Sequence, residues 1–320
     1  MIIHNGIILL RALAAFMIVG CHLQLYPRTA CGEFATSLCD VNVGLFAAIS
    51  GYLMISSMDG CVSLGAYVWK RAKRLLPIYV VWTVFYLISS LVFSLVLKGG
   101  GLAGKYTDWG FWRDVVIWGG ASCHLWFVIS LFYANVIFSA CYFQWRRRNA
   151  LGVAFLVVGI ALVCWATVSD AFMYRYPIRL FGFVALGMAI RRLNFSRRIP
   201  AMTCGLAIAA GLVVYFVFRC QVHSFIRGML VVIPLLILFT SQKAYLVFDC
   251  RTIKCLAECS MGVFLIHPFF AAGMSAIAQR IISPPFTAII VICDWVLIYV
   301  LSVVFTMAML RVKVINRFVR

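Results

Sequence analysis

Arg11 and His22 stand eleven residues apart in R-A-L-A-A-F-M-I-V-G-C-H, and every residue between them is apolar or small. A guanidinium holds anions, and an imidazole exchanges a proton near neutral pH. Together they could bind a charged group and move a proton. If the stretch is helical, eleven steps of about 100° come within about 20° of three full turns. Both side chains then project from one face, about 16 Å apart along the axis. A line of polar groups on one face suits a tunnel. The plainer alternatives are an arginine that snorkels to headgroups and a histidine hydrogen-bonded to a neighbouring helix.

Further candidates recur along the chain. His267 lies in S-M-G-V-F-L-I-H-P-F, with Ser260 seven residues earlier on the same helical face. Pro268 removes a backbone donor and so frees a carbonyl for nearby polar groups. A structural histidine fits there as readily as a functional one. His124 opens C-H-L-W-F, and Asn135, eleven residues on, shares its face. Asp294 is the one acid deep in an apolar run and calls for a cation or polar partner, with Arg179 a candidate. In W-K-R-A-K-R-L-L-P-I-Y, Arg71 and Arg74 are three apart on a helix face, where guanidinium forks could hold phosphates or simply fix membrane topology. No zinc signature, P-loop or G-x-S-x-G motif supports metal, nucleotide-hydrolysis or α/β-hydrolase chemistry.

Composition determines what positions these groups. Of 320 residues 65% are hydrophobic and 12% charged, with a mean hydropathy of +1.04. Water-soluble domains carry about 25% charged residues, so this chain cannot coat a soluble particle. It reads as an all-α polytopic membrane protein forming a single domain over residues 1–320, with no appended soluble domain. Apolar runs long enough for the hydrocarbon core predict ten transmembrane helices, near 6–26, 41–58, 75–97, 123–143, 150–168, 174–190, 199–218, 225–241, 256–278 and 286–310. Residues 109–119 are too short to span, and their tryptophans predict an amphipathic interfacial segment.

The formal net charge of +19 is mainly a topology signal. Of the 28 Lys and Arg, 18 fall in four alternate connections and the C-terminal tail, from Lys70 to Arg320. Positive-inside asymmetry places both termini in the cytoplasm, with contacts to anionic lipid or a phosphorylated cofactor possible on that side. Nucleic acid is not expected as a partner. The thirteen cysteines are scattered as small apolar side chains. Only Cys31 and Cys39 share one short polar loop, where a disulfide could form.

Taken in order, several stretches resemble the motifs of one family. They are the Arg11–His22 pair, G-L-F-A-A-I-S-G-Y-L (Gly44–Leu53, with Ser50) and R-A-K-R-L-L-P-I-Y (Arg71–Tyr79). H-L-W-F (His124–Phe127, with Trp126), R-L-F-G-F-V-A-L-G (Arg179–Gly187) and S-M-G-V-F-L-I-H-P (Ser260–Pro268) follow. The chain is similar to the acyltransferase 3 family, bacterial integral-membrane acyltransferases that modify cell-surface glycans. Ala12 stands where glycine is common in the family, and Met261 where tyrosine often follows the serine.

The resemblance implies transfer of an acyl group, usually acetyl, from cytoplasmic acyl-CoA to a hydroxyl of a surface polysaccharide or lipid-linked sugar, in the bacterial inner membrane and without a metal. His22 would be catalytic with Arg11 in support, and Arg71 and Arg74 would engage CoA phosphates. His267, His124 and Ser260 would line the cavity, with Trp126, Arg179, Ser50 and Asp294 as further candidates. Two other functions suit such a bundle. One is an exporter of a glycan or lipid-linked sugar, although no inverted repeat is evident; the other is a ligand-sensing module.

Overall fold

Inside a bilayer no water reaches the backbone, so each N–H and C=O must pair within its own segment, and helices result. The computed structural model describes residues 5–23, 30–96, 108–119, 122, 124–168, 172–218, 223–241, 250–281 and 288–319. Among them the regular elements are helices: α1 (Asn5–Gly20), α2 (Ala30–Asp59), α3 (Leu64–Val96), α4 (Trp109–Trp118), α5 (Trp126–Trp145) and α6 (Leu151–Val168). Then come α7 (Phe172–Arg192), α8 (Phe195–Arg198), α9 (Ala201–Val217), α10 (Ser224–Phe239), α11 (Arg251–Ile281) and α12 (Ala288–Arg311). A short 3₁₀ turn, Asn316–Phe318, closes the chain.

Among the described residues, each stretch expected to span is mainly helical. Six contain segments long and apolar enough to cross a membrane: Val41–Asp59, Leu64–Phe93, Trp126–Trp145, Leu151–Val168, Arg251–Met274 and Ala288–Arg311. Helices α1, α9 and α10 are apolar but shorter. Helix α7 is long enough but carries Arg175, Arg179, Arg191 and Arg192.

The bundle is turned inside out relative to a soluble protein. Helix α12 exposes Ile289, Ile292, Val296, Val300 and Val304, three or four residues apart, while Ser302 and Thr306 are buried. That spacing puts the exposed residues on one stripe, as lipid demands.

Two expectations are refined. Residues 109–118 form the short helix α4, where Asp108 caps two backbone N–H groups (Gly110 and Phe111) and Gly119 ends it at φ 80°. Tyr133 Oη donates to the Ile117 carbonyl at 3.1 Å, and Tyr79 Oη bonds the Val115 carbonyl, so α4 is tied to α3 and α5. Cys31 and Cys39, in contrast, are not in a loop. They lie within α2, where eight residues of helix set them about 12 Å apart along its axis.

Close packing is achieved where side chains vanish. A Cβ on Gly51 would stand 2.0 Å from the Val184 carbonyl oxygen, and one on Gly187 would stand 1.9 Å from that of Ala48. Helices α2 and α7 therefore cross backbone to backbone, as small residues permit in membranes. Gly51→Leu should destabilise the bundle by about 2–3 kcal/mol or prevent its assembly. Thermal unfolding in detergent would show this as a clear fall in midpoint. An unchanged midpoint would mean that α2 and α7 do not meet here.

Candidate active site

Helices α1 and α11 lie side by side, and two layers of polar groups line their contact. The first layer is cationic. Arg11 Nη2 donates to Ser260 Oγ at 2.9 Å, joining α1 to α11. Arg74 of α3 and Glu258 of α11 are close enough to act electrostatically on Arg11, and Arg71 acts likewise on Arg74. The Arg71 guanidinium lies over the Tyr67 ring, 5.0 Å from its centroid, and also hydrogen-bonds that side chain. Tyr67 Oη in turn donates to Asn135 Oδ1 at 2.6 Å, and Asn135 Nδ2 donates to the Leu131 carbonyl at 2.7 Å. Asn135 thus anchors the tyrosine that orients Arg71. Arg71 Nε is buried and lacks a hydrogen-bond partner among the described residues.

The second layer is made of imidazoles. Ser260 and His267 are seven residues apart on α11, so this layer sits about 10 Å further along the bundle. His22 lies in the tight turn that ends α1, its N–H bonded to the Val19 carbonyl at 3.1 Å. Ring centroids are 4.9 Å apart for His22 and His267, 6.5 Å for His22 and His124, and 6.0 Å for His124 and His267. The three histidines therefore converge from α1, α11 and the turn before α5. Among the described residues no group of three His, Cys, Asp or Glu side chains could hold a metal ion.

Hydrogen bonds distinguish the rings. His124 Nε2 lies 3.2 Å from the Leu265 carbonyl, and Nδ1 lies 3.1 Å from Ser122 Oγ. A carbonyl only accepts, so Nε2 carries the proton and Nδ1 accepts from the serine. Both nitrogens of this buried ring are committed, which suits a wedge better than a proton carrier. His267 Nδ1 lies 2.9 Å from the Val263 carbonyl, and Nε2 is buried with no hydrogen-bond partner among the described residues.

Other candidates lie apart from the two layers or only approach them. Ser50 Oγ donates to the Phe46 carbonyl of its own helix at 2.8 Å. The nearer α2 residue is Phe46, whose ring meets those of Phe127 and Phe264. Trp126 is half-buried against Phe127. Arg179 is 1% exposed, with its guanidinium 4.2 Å from the Phe225 ring centroid on α10, a cation–π contact. Asp294 is half-buried beside Trp295, whose Nε1 donates to the Phe16 carbonyl of α1 at 2.9 Å.

Sequence reasoning missed Tyr86, whose ring is 4.9 Å from that of His124 and whose Oη donates to the Leu265 carbonyl at 2.7 Å. Tyr86 sits in an aromatic-rich apolar stretch, Tyr79–Ser90, where nothing distinguishes it from Trp82 and Phe85 beside it. Tyr67, four residues before Arg71, could have been found as a same-face pair.

An all-helical chain with apolar flanks and an internal site of guanidinium and imidazole groups defines a membrane protein with chemistry inside its bundle. The family model described as an acyltransferase domain, acyltransferase 3, matches residues 4–311. The chain belongs to this family and is a membrane acyltransferase. No curated protein and no solved structure matches it.

Ser260→Ala would strip Arg11 of a charge-assisted acceptor and should cost about 1–2 kcal/mol. The expected outcome is a lower unfolding midpoint in detergent, and an unchanged one would show that Ser260 contributes nothing to holding Arg11.

Proposed function

We propose that this protein is an acyl-CoA-dependent O-acyltransferase that moves an acyl group, acetyl before others, from cytoplasmic acyl-CoA to a hydroxyl of a surface polysaccharide or lipid-linked sugar. The observation that carries this reading is the succession of two layers along α1 and α11. Guanidinium groups at one depth suit an anionic donor, and imidazoles about 10 Å further in suit proton transfer. In this reading ten helices cross the bacterial inner membrane, with both termini in the cytoplasm, as the one-sided distribution of Lys and Arg favours.

Arg71 and Arg74 would hold the CoA phosphates, with the buried Nε of Arg71 still able to donate. The slender pantetheine arm would pass Arg11 and bring the thioester to His22. There the acceptor hydroxyl gives its proton to the imidazole as its oxygen attacks the thioester carbonyl. The C–O bond forms, the C–S bond breaks, and the departing thiolate takes the proton back from His22. Imidazole suits both transfers because one ring nitrogen can accept a proton and then give it back. His22 is half-buried rather than sealed, so a substrate can meet it. An acyl-His22 intermediate would require the same contacts. Export without covalent chemistry is the rival, and the family match weighs against it.

Mass spectrometry of surface glycans from cells with and without the protein tests the reading. Loss of an acyl mass on deletion, restored by wild type and not by His22→Ala, is expected. Unchanged acylation with glycan held inside the cell would favour the exporter. In kinetics, His22→Ala should lower kcat by about 100-fold or more. Arg71→Ala and Arg74→Ala should each raise KM for acyl-CoA about tenfold with kcat little altered, a loss of uniform binding. A fall in kcat alone would remove the arginines from donor binding.

A further inference from the structure

The imidazole layer contains one polar atom that the proposed reaction leaves unused. His267 is 0% exposed, and its Nε2 has no hydrogen-bond partner among the described residues. A buried polar atom left unsatisfied is costly and calls for an explanation. The other nitrogen is bound to the helix that carries it. Nδ1 lies 2.9 Å from the Val263 carbonyl, and the Phe264 carbonyl also bonds to the ring. Pro268 has no N–H to give the Phe264 carbonyl, which is why that oxygen is available. Carbonyls only accept, so the proton stays on Nδ1 and Nε2 presents a lone pair.

The ionisable groups acting on His267 are His22 and His124, and both nitrogens of His124 are already committed. The His22 ring is 4.9 Å away, centroid to centroid, tilted by 54°. Two imidazoles joined by an N–H···N bond have centroids about 5 Å apart, from a donor–acceptor distance of about 2.9 Å. The centroid separation is therefore that of a bonded pair. His22 is half-buried and His267 fully buried. A substrate thus meets His22 first, with His267 behind it.

We propose that His267 is a positioning residue for His22: its Nε2 accepts the N–H of the His22 ring, which fixes the opposite His22 nitrogen as the base facing the acceptor hydroxyl. The proposal rests on the acyltransferase reading and assigns the second histidine in it. The hydroxyl proton moves to His22 and then to the departing thiolate, while His267 keeps its own Nδ1 proton throughout. When His22 holds the extra proton, the His267 lone pair faces the positive charge and stabilises it without moving.

The test uses the full chain in detergent, acetyl-CoA as donor, and surface glycan extracted from a strain lacking the protein, with release of CoA thiol as the readout. His267→Leu should lower kcat by about 100-fold, with KM for acetyl-CoA unchanged. His267→Gln places a carbonyl acceptor near the position of Nε2 and should recover to within about tenfold of wild type. The double variant His22→Ala, His267→Leu should be no slower than His22→Ala alone, because the two act as a unit. A His267→Leu variant within about threefold of wild type overturns the proposal. So does a His267→Gln variant as slow as His267→Leu, since a purely structural histidine would show no such rescue. If His267→Leu fails to fold, His267→Gln decides, and a kcat below about one-hundredth of wild type overturns it. Wild type releasing no thiol would overturn the acyltransferase reading and this proposal together, whereas active wild type with an equally active His267→Leu overturns this proposal alone.

Discussion

The hydrogen bond from Arg11 to Ser260 holds α1 and α11 in register, and the inner site depends on that register. A slip of one helical turn moves a side chain by about 5.4 Å, more than the 4.9 Å that separates the His22 and His267 ring centroids. Nothing else in an apolar interface so strongly opposes sliding, because lipid tails and leucines solvate each other equally well. A charged donor with a neutral acceptor is one of the few contacts whose loss is expensive inside a membrane. The Trp295 indole, bonded to the Phe16 carbonyl and stacked on the Phe16 ring, pins the same helix from α12.

Around that axis the other helices divide the work. Glycine crossings bring α2 and α7 together at backbone distance and keep that side of the bundle rigid. On the other side, aromatic rings form the wall. Phe264 lies beside His124, and Tyr86 bridges to the Leu265 carbonyl. Phe46 and Phe127 close the layer from α2 and α5. Such a wall excludes water, and in a low-dielectric pocket each remaining hydrogen bond counts for more. The histidines therefore occupy different roles despite equal chemistry: His124 is tied at both nitrogens, His267 at one, and His22 stands where a substrate can reach it.

In the proposed reaction this division separates donor from acceptor. The cationic layer lies towards the basic ends of the helices and the imidazole layer beyond it, so the thioester would travel while the CoA phosphates stay behind. Tyr67 and Asn135, remote from the imidazoles, would matter by aiming Arg71.

Much of this was legible in the residues alone. The apolar runs, interrupted by basic clusters, located the long helices, because a segment in lipid has no other way to satisfy its backbone, although α2 and α3 each begin eleven residues before the apolar run that marked them. Helical periodicity placed Ser260 with His267 on one face of α11, whereas His22 stands in the turn beyond the end of α1, where the periodicity from Arg11 no longer applies. What periodicity cannot supply is which face meets which. The convergence of three histidines from separate elements, the commitment of both nitrogens of His124 and the turn of Arg179 towards Phe225 depend on contacts between residues far apart in the chain. So does the role of Tyr86. The loop expected around Cys31 and Cys39 failed for a related reason: polar composition marked a loop where the chain continues as helix. Sequence by itself determined the helices, the family and the residues able to do chemistry, since those follow from local composition and spacing. Only the tertiary structure decided their partners, because each hydrogen bond in the interior is a competition settled by packing.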